Sequence, residues 1–284
     1  LRKLRPVWEG KTTFDNHPTR LARVVALTGS QAPLDGLLAA LHANKVPSDK
    51  RLSTLRALAR AGRSKHLDAV LDATLSDNLD TPARLKLLQG LISAKIDRKM
   101  IPNKNRARLS SLFDHLSLGP SALRLAAHWN LPGSLPIASQ KLTSTDDLIS
   151  FSLHASTLAV FGKPGVAKLV TFAQETERPE TALAALEAIA EADALTAAKL
   201  SPSFLASLPE KLDVGPLFAH LLRSREAPKV LAAGLDGKTL KPSFSLVGIR
   251  AATTSGRDLS GLVAALRKAG NLKLMRQKLS ATEM

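Results

Sequence analysis

The sequence predicts an all-α chain, built as a solenoid of stacked helix pairs. Three observations carry this. The first is composition. Leu and Ala dominate the apolar residues, aromatics make up 4% and Tyr is absent. Leu and Ala are strong helix formers, whereas strands favour β-branched and aromatic residues. The second is periodicity. Apolar residues recur at spacings of three and four from one end to the other, and no stretch alternates long enough for a sheet. The third is a longer period. Helix pairs begin near Ser48, Thr81, Thr145, Pro179 and Val214, giving separations of 33, 34 and 35 within the two runs. A two-helix unit repeating every thirty-odd residues buries its apolar face only by stacking on its neighbours. The bland alternative is a globular bundle with accidental spacing. The repeats match one another poorly, and ankyrin or tetratricopeptide signature residues are missing. The prediction is therefore a right-handed α-solenoid of divergent HEAT- or armadillo-like pairs, roughly seven or eight in number.

Each element follows from its own residues. Leu52, Leu55, Leu58 and Ala59 form one stripe, with Ser48 as the expected N-cap and Gly62 as the stop. Leu67, Val70, Leu71 and Leu75 form the next. Leu85, Leu88, Leu91 and Ile92 follow, entered through Thr81 as cap and Pro82 in the first turn, where its missing N–H costs nothing. Leu109, Leu112, Phe113 and Leu116 predict another helix. Between Gly119 and Leu142 short apolar pieces and three prolines loosen the pattern, which predicts a degenerate repeat or a kink. The expected organisation is thus HEAT-like repeats over 1–118, the irregular segment 119–142, and further repeats over 143–284. In that last part Leu183, Leu186, Ile189 and Ala190 share a face, then Leu217, Phe218, Leu221 and Leu222, then Leu259, Leu262, Val263 and Leu266. "KPGVAKLVTFAQE", "RPETALAALEAIAEAD", "LSPSFLASL" and "KPSFSLVGIRAA" each place Pro near an expected helix start.

Both ends suggest a segment of a longer chain. The sequence opens on Leu1 rather than Met, and its basic start has no apolar stretch after it, so it is not a signal peptide. At the other end "QKLSATEM" has Ser280 and Glu283 in the capping-box relation, a helix start with almost no helix behind it. No apolar run reaches the roughly 18 residues of a membrane span. With no Cys, these residues supply no disulfide, no thiolate metal site, no cysteine nucleophile and no thioether attachment for a c-type haem.

The net charge of +16 is uneven. Residues 1–142 carry a balance of +13, residues 143–213 of −5 and residues 214–284 of +8. The densest basic run is "AKIDRKMIPNKNRAR", where Lys95, Arg98, Lys99, Lys104, Arg106 and Arg108 accompany only Asp97. Its Pro and Asn content places much of it in a loop. These six residues are the candidate interaction patch, and replacing Arg98, Lys99, Arg106 and Arg108 is expected to leave the fold intact. A basic solenoid that binds nucleic acid through such a Lys/Arg-lined surface is the alternative functional reading. The lack of aromatics near the run counts against base stacking. A solvated or intramolecular basic face is the plain reading.

No catalytic constellation is legible. His17, His42, His66, His115, His128, His154 and His220 include no pair at the three- or four-residue spacing that puts two imidazoles on one helix face. No G-x-S-x-G elbow occurs, and "GKPGVAKL" lacks the order of a phosphate loop. Asp146 and Asp147 stand where a helix begins, which capping explains. Trp8 and Trp129 read as core residues, with Trp8 placed to pack a terminal repeat.

The last stretch, with "SGRDL" at 255–259, "LVAALRKAG" at 262–270 and "LSATEM" at 279–284, resembles the link between helical repeats and a cytochrome c domain. The family is that of large planctomycete-type proteins with a membrane-bound-dehydrogenase domain and a haem-binding C-x-x-C-H motif. "FDNHPTRLARVVAL" at 14–27 looks like the entry to their repeat region. The resemblance implies a β-propeller before the repeats, a c-type cytochrome after them, and an exported or periplasmic location. The role expected for this segment, a non-catalytic scaffold that docks neighbouring domains or a protein partner, follows from the repeat pattern and the lack of any catalytic constellation. Haem c would belong to the following domain. With no C-x-x-C-H here, no haem ligand, metal ligand or other cofactor-binding residue carries over to this chain.

Overall fold

A computed structural model of the chain describes residues 30–272. Every regular element among them is helical: fourteen α-helices and one 3₁₀ helix, with no strand. In order they are α1 (Ala32–His42), α2 (Ser48–Ala61), α3 (Ser64–Leu75), α4 (Thr81–Arg98), the 3₁₀ helix (Arg106–Leu112), α5 (Gly119–His128), α6 (Ser134–Thr143) and α7 (Leu148–Ala159). The rest are α8 (Lys163–Glu175), α9 (Pro179–Ala192), α10 (Ala194–Ser207), α11 (Gly215–Arg223), α12 (Ala227–Gly234), α13 (Pro242–Thr254) and α14 (Ser260–Ala269). The chain divides into two compact units between Gln140 and Lys141.

Within each unit most helices pack on the next helix, on the one after that, or on both. In the first unit α2 meets α3 and α4, α4 meets α3 and α5, and the 3₁₀ helix lies on α3 and α5. In the second unit α7, α9, α11 and α13 form one row of contacts, and α10, α12 and α14 a second. This packing of adjacent helices is consistent with an α-solenoid. The helices beginning at Ser48 and Thr81 in the first unit, and at Leu148, Pro179 and Gly215 in the second, start at or within three residues of the positions the sequence period marks.

The second unit is built around α9, "PETALAALEAIAEA", in which nine of 14 residues are buried. Its alanines leave room for α7, α8, α10 and α11 to approach together. A helix that is apolar nearly all round is a core helix. Bulkier groups fill the gaps further out. Phe151 of α7 tilts against Phe172 of α8 with ring centroids 4.9 Å apart. Phe218 of α11 is fully buried and lies against Gly248 of α13, where an added Cβ would come within 2.7 Å of the ring.

Polar cross-links tie successive pairs, and they span 30 to 39 residues of sequence. Gln31 Nε2 donates to the Ala61 carbonyl. The His66 ring contacts Asp35 Oδ1 at 2.8 Å, while its Nδ1 accepts from the Arg63 backbone N–H. Asp68 Oδ1 accepts from the backbone N–H groups of Asn103 and Lys104. In the second unit Arg178 donates to the Asp146 carbonyl, Lys241 to the Leu208 carbonyl, and Lys268 pairs with Asp236 at 2.8 Å.

Two of these links are the same device used twice. Arg98, the last residue of α4, donates to the carbonyls of Ala59 and Gly62 at the end of α2. Arg257, just past the end of α13, donates to the carbonyls of Leu222 and Ser224 at the end of α11. A helix end leaves its last carbonyls without intrahelical partners and carries partial negative charge. In both cases a guanidinium from one row member clamps the C-terminus of the member before it.

Two expectations change. The stripe Leu109–Leu116 forms only a short 3₁₀ helix, and Leu116 is 93% exposed. Ser110 and Ser111 turn their hydroxyls back onto the carbonyls of Ala107 and Arg108, which competes with a longer α-helix. Pro202 does not start a helix but lies inside α10. Its ring packs toward Gly234 of α12, and Ser201 Oγ donates to the Ala197 carbonyl. The segment 119–142 holds α5 and most of α6. "FDNHPTRLARVVAL", Trp8, His17 and the terminal "LSATEM" lie outside the described residues.

Candidate interaction site

The basic run of the sequence fans out into separate surroundings. Lys95 and Arg98 belong to α4, not to a loop. Lys95 lies where α4 packs on α5, near Arg124 and His128. Burial first, then these two cations, hold the His128 ring below the ordinary imidazole range. Arg98 is half-buried and turned onto the end of α2, and burial lowers the proton affinity of its guanidinium. Its replacement is therefore a structural change, which corrects the expectation that Arg98 is a dispensable loop charge. Lys99 takes the left-handed conformation that ends α4, and its ammonium donates to the Ile96 carbonyl. Lys104 sits in the loop and Arg106 opens the 3₁₀ helix. Arg108 comes within 4.0 Å of Asp72 on α3.

A different basic constellation is assembled instead, between α2 and α4. Gly90 makes it possible. A Cβ at that position would lie 2.9 Å from the Ala59 Cβ, closer than two carbons pack, so only glycine lets α4 come this near α2. The floor is lined by Ala57, Ala59 and Ala94, all buried. The walls carry Arg56 and Arg60 from α2, and Lys86, Gln89 and Ser93 from α4. Asp97 and Arg98 close one end. The groove encloses about 500 Å³.

The electrostatics of this groove are unbalanced. Arg56 and Arg60 stand one helical turn apart on the exposed face of α2. Among the described residues neither they nor Lys86 has a carboxylate partner. Arg98 is held in place by its two carbonyls. Four cations thus face one carboxylate, Asp97. Arrayed guanidinium and ammonium groups over a methyl-lined floor are suited to gripping carboxylate or phosphate oxygens.

Two features of the second unit differ in character. A groove of about 530 Å³ lies between α8 and α10, lined in part by Ala173, Leu200, Phe204 and Leu208. On α9, burial pushes the Glu187 carboxyl up to about 7, with the Asp213 charge adding to it. Among the described residues no three acidic or imidazole groups are gathered as a metal would need, and no helix is long and apolar enough to cross a membrane.

Sequence reasoning missed Arg56, Arg60 and Lys86 because it weighed linear density of charge. The available signal was the four-residue spacing in "TLRALARAG", with no acid one turn away on either side.

No protein-family model, curated protein or solved structure matches the chain.

Proposed function

We propose that this chain is a non-catalytic scaffold, a right-handed α-solenoid of HEAT or armadillo type. In this reading it spaces and docks other domains of a longer, exported oxidoreductase or electron-transfer protein. The observation that supports it is the set of cross-links at separations of 30 to 39 residues inside each unit, Gln31–Ala61 and Ala59–Arg98 in the first and Asp236–Lys268 in the second. Within a unit, links of this kind hold a helix pair at a set distance from the next. Scaffolding needs that property, whereas a catalytic pocket needs convergent reactive groups. The redox context rests on the resemblance of "SGRDL", "LVAALRKAG" and "LSATEM" to the link that precedes a cytochrome c domain. Haem would then be carried outside these residues, since thioether attachment needs cysteines and this chain has none. The deciding experiment is to read the coding sequence that follows Met284. A C-x-x-C-H motif there supports the reading, and a stop codon directly after Met284 overturns its redox part.

A further inference from the structure

The α2/α4 groove has more positive charge than the chain itself neutralises. Arg56, Arg60 and Lys86 project into it without carboxylate partners among the described residues. Like charges gathered around one cleft repel, so the arrangement gains from an anionic occupant. The shape of the groove says which kind. Its floor is formed by the methyl groups of Ala57, Ala59 and Ala94, which accept small aliphatic side chains. Gln89 and Ser93 on the α4 wall offer donors and acceptors to a peptide backbone.

A nucleic-acid strand fits less well. No aromatic ring lines the groove for a base to stack on. Asp97 stands at one end, where a continuous phosphate backbone would meet a like charge. A peptide tolerates Asp97, because it can turn a backbone N–H or a basic side chain toward it.

We propose that the groove between α2 and α4 docks an acidic peptide segment of a partner protein, with Arg56, Arg60 and Lys86 binding its carboxylates. The proposal rests on the scaffold reading and names the partner's chemistry. Spacing gives the motif. Arg56 and Arg60 are four residues apart on a helix, a rise of about 6 Å. Alternate residues of an extended peptide are about 6.6 Å apart and point the same way. Acids at positions i and i+2 therefore meet the two guanidinium groups together. The residue between them faces away, and Lys86 reaches a third acid from the opposite wall.

The test is fluorescence anisotropy with the whole chain and a labelled peptide, Ala-Glu-Ala-Glu-Ala-Glu-Ala-Leu. A duplex of roughly 20 base pairs with the same label serves as the competing probe. The peptide is expected to bind, more weakly as salt rises. The double variant Arg56→Glu/Arg60→Glu should weaken binding at least about tenfold, and Lys86→Glu severalfold, since each reversal replaces attraction by repulsion. Lys229→Glu, in the other unit, should change nothing. All four positions are exposed, so the variants should keep the helical circular dichroism of the parent. If a reversal does unfold the chain, Arg56→Gln/Arg60→Gln replaces it and should still weaken binding. No peptide binding at about 1 mM overturns the proposal. So does binding that the groove variants leave unchanged. Duplex binding that is tighter than peptide binding at equal salt, and lost in the same variants, assigns the groove to nucleic acid instead. None of these results alters the coding-sequence test, so failure of the docking site is distinguishable from failure of the scaffold reading.

Discussion

Removing the Arg98 clamp should loosen the first unit by about 2–4 kcal/mol. The number follows from what the guanidinium satisfies. The last turn of α2 leaves carbonyls without intrahelical partners. Leu58 O takes the Gly62 N–H, Ala61 O takes Gln31, and Ala59 O takes Arg98, which also holds Gly62 O. A hydrogen bond from a charged donor is worth about 1.5–3 kcal/mol. Two of them come to about 3–6 kcal/mol, reduced by the cost of half-burying the cation. Arg98→Ala loses both bonds and leaves Ala59 O, on a buried residue, without its side-chain partner. Arg98→Lys keeps the charge but not the fork, and should retain roughly half of the effect. Urea unfolding followed by helical circular dichroism is the assay. With a slope of about 2 kcal/mol/M, Arg98→Ala should lower the midpoint by about 1–2 M. The exposed neighbour Lys104→Ala should stay within about 0.5 kcal/mol of the parent. An Arg98→Ala midpoint indistinguishable from that of Lys104→Ala would refute the reasoning.

Four further outcomes are expected. Gly248→Val should destabilise by about 2–3 kcal/mol, because its side chain would enter the space of the Phe218 ring and Leu266. Gly36→Ala, in α1 with nothing within 4 Å of an added Cβ, should stabilise by about 0.5–1 kcal/mol; thermal melts that rank these two the other way contradict the packing. Stability should fall as the pH drops below about 6.5. Burial holds His66, His128 and His154 below the ordinary imidazole range, so the unfolded chain takes up protons first. His66 shows why: its Nδ1 already accepts from the Arg63 N–H, and a second proton there has no place to go. Equal urea midpoints at pH 7 and pH 5 would count against this. Glu187 behaves oppositely. Its folded value of about 7 lies above the unfolded one, so its penalty grows as pH rises from about 4.5 through 7. Glu187→Gln should therefore stabilise the chain at pH 8 and do little at pH 4.5, as read by the same midpoints.

Local chemistry was easy to read where one residue decides it. Gly62 ends α2 as its sequence position suggests, and Asp147 caps α7 by accepting from the Ser150 N–H. One residue over, Thr81 was expected to cap α4, but Asp80 does so, accepting from the Ala83 N–H. Thr81 becomes the first helical residue. Pro202 was misplaced because its cost inside α10 is offset by packing against α12, a partner invisible in a local window. The groove was harder still. Arg98 and Arg56 look alike as letters, yet one is consumed by carbonyls 36 and 39 residues back and the other is left open. Only the stacking of α4 on α2 separates a structural cation from an available one.

That the packed helices lean on neighbours one or two places along the chain has a consequence for how the protein comes into being. Its contacts close over short loops, so little entropy is spent bringing distant segments together. Chains of this kind fold quickly, and each pair can settle as soon as the pair behind it exists. A ribosome, or a secretion pore passing the chain through unfolded, releases residues in order from one end. Arg98 emerges after the α2 carbonyls it clamps, and Arg257 after those of α11. Each clamp can thus fasten a turn that has already been delivered, so assembly can follow the direction in which the chain emerges.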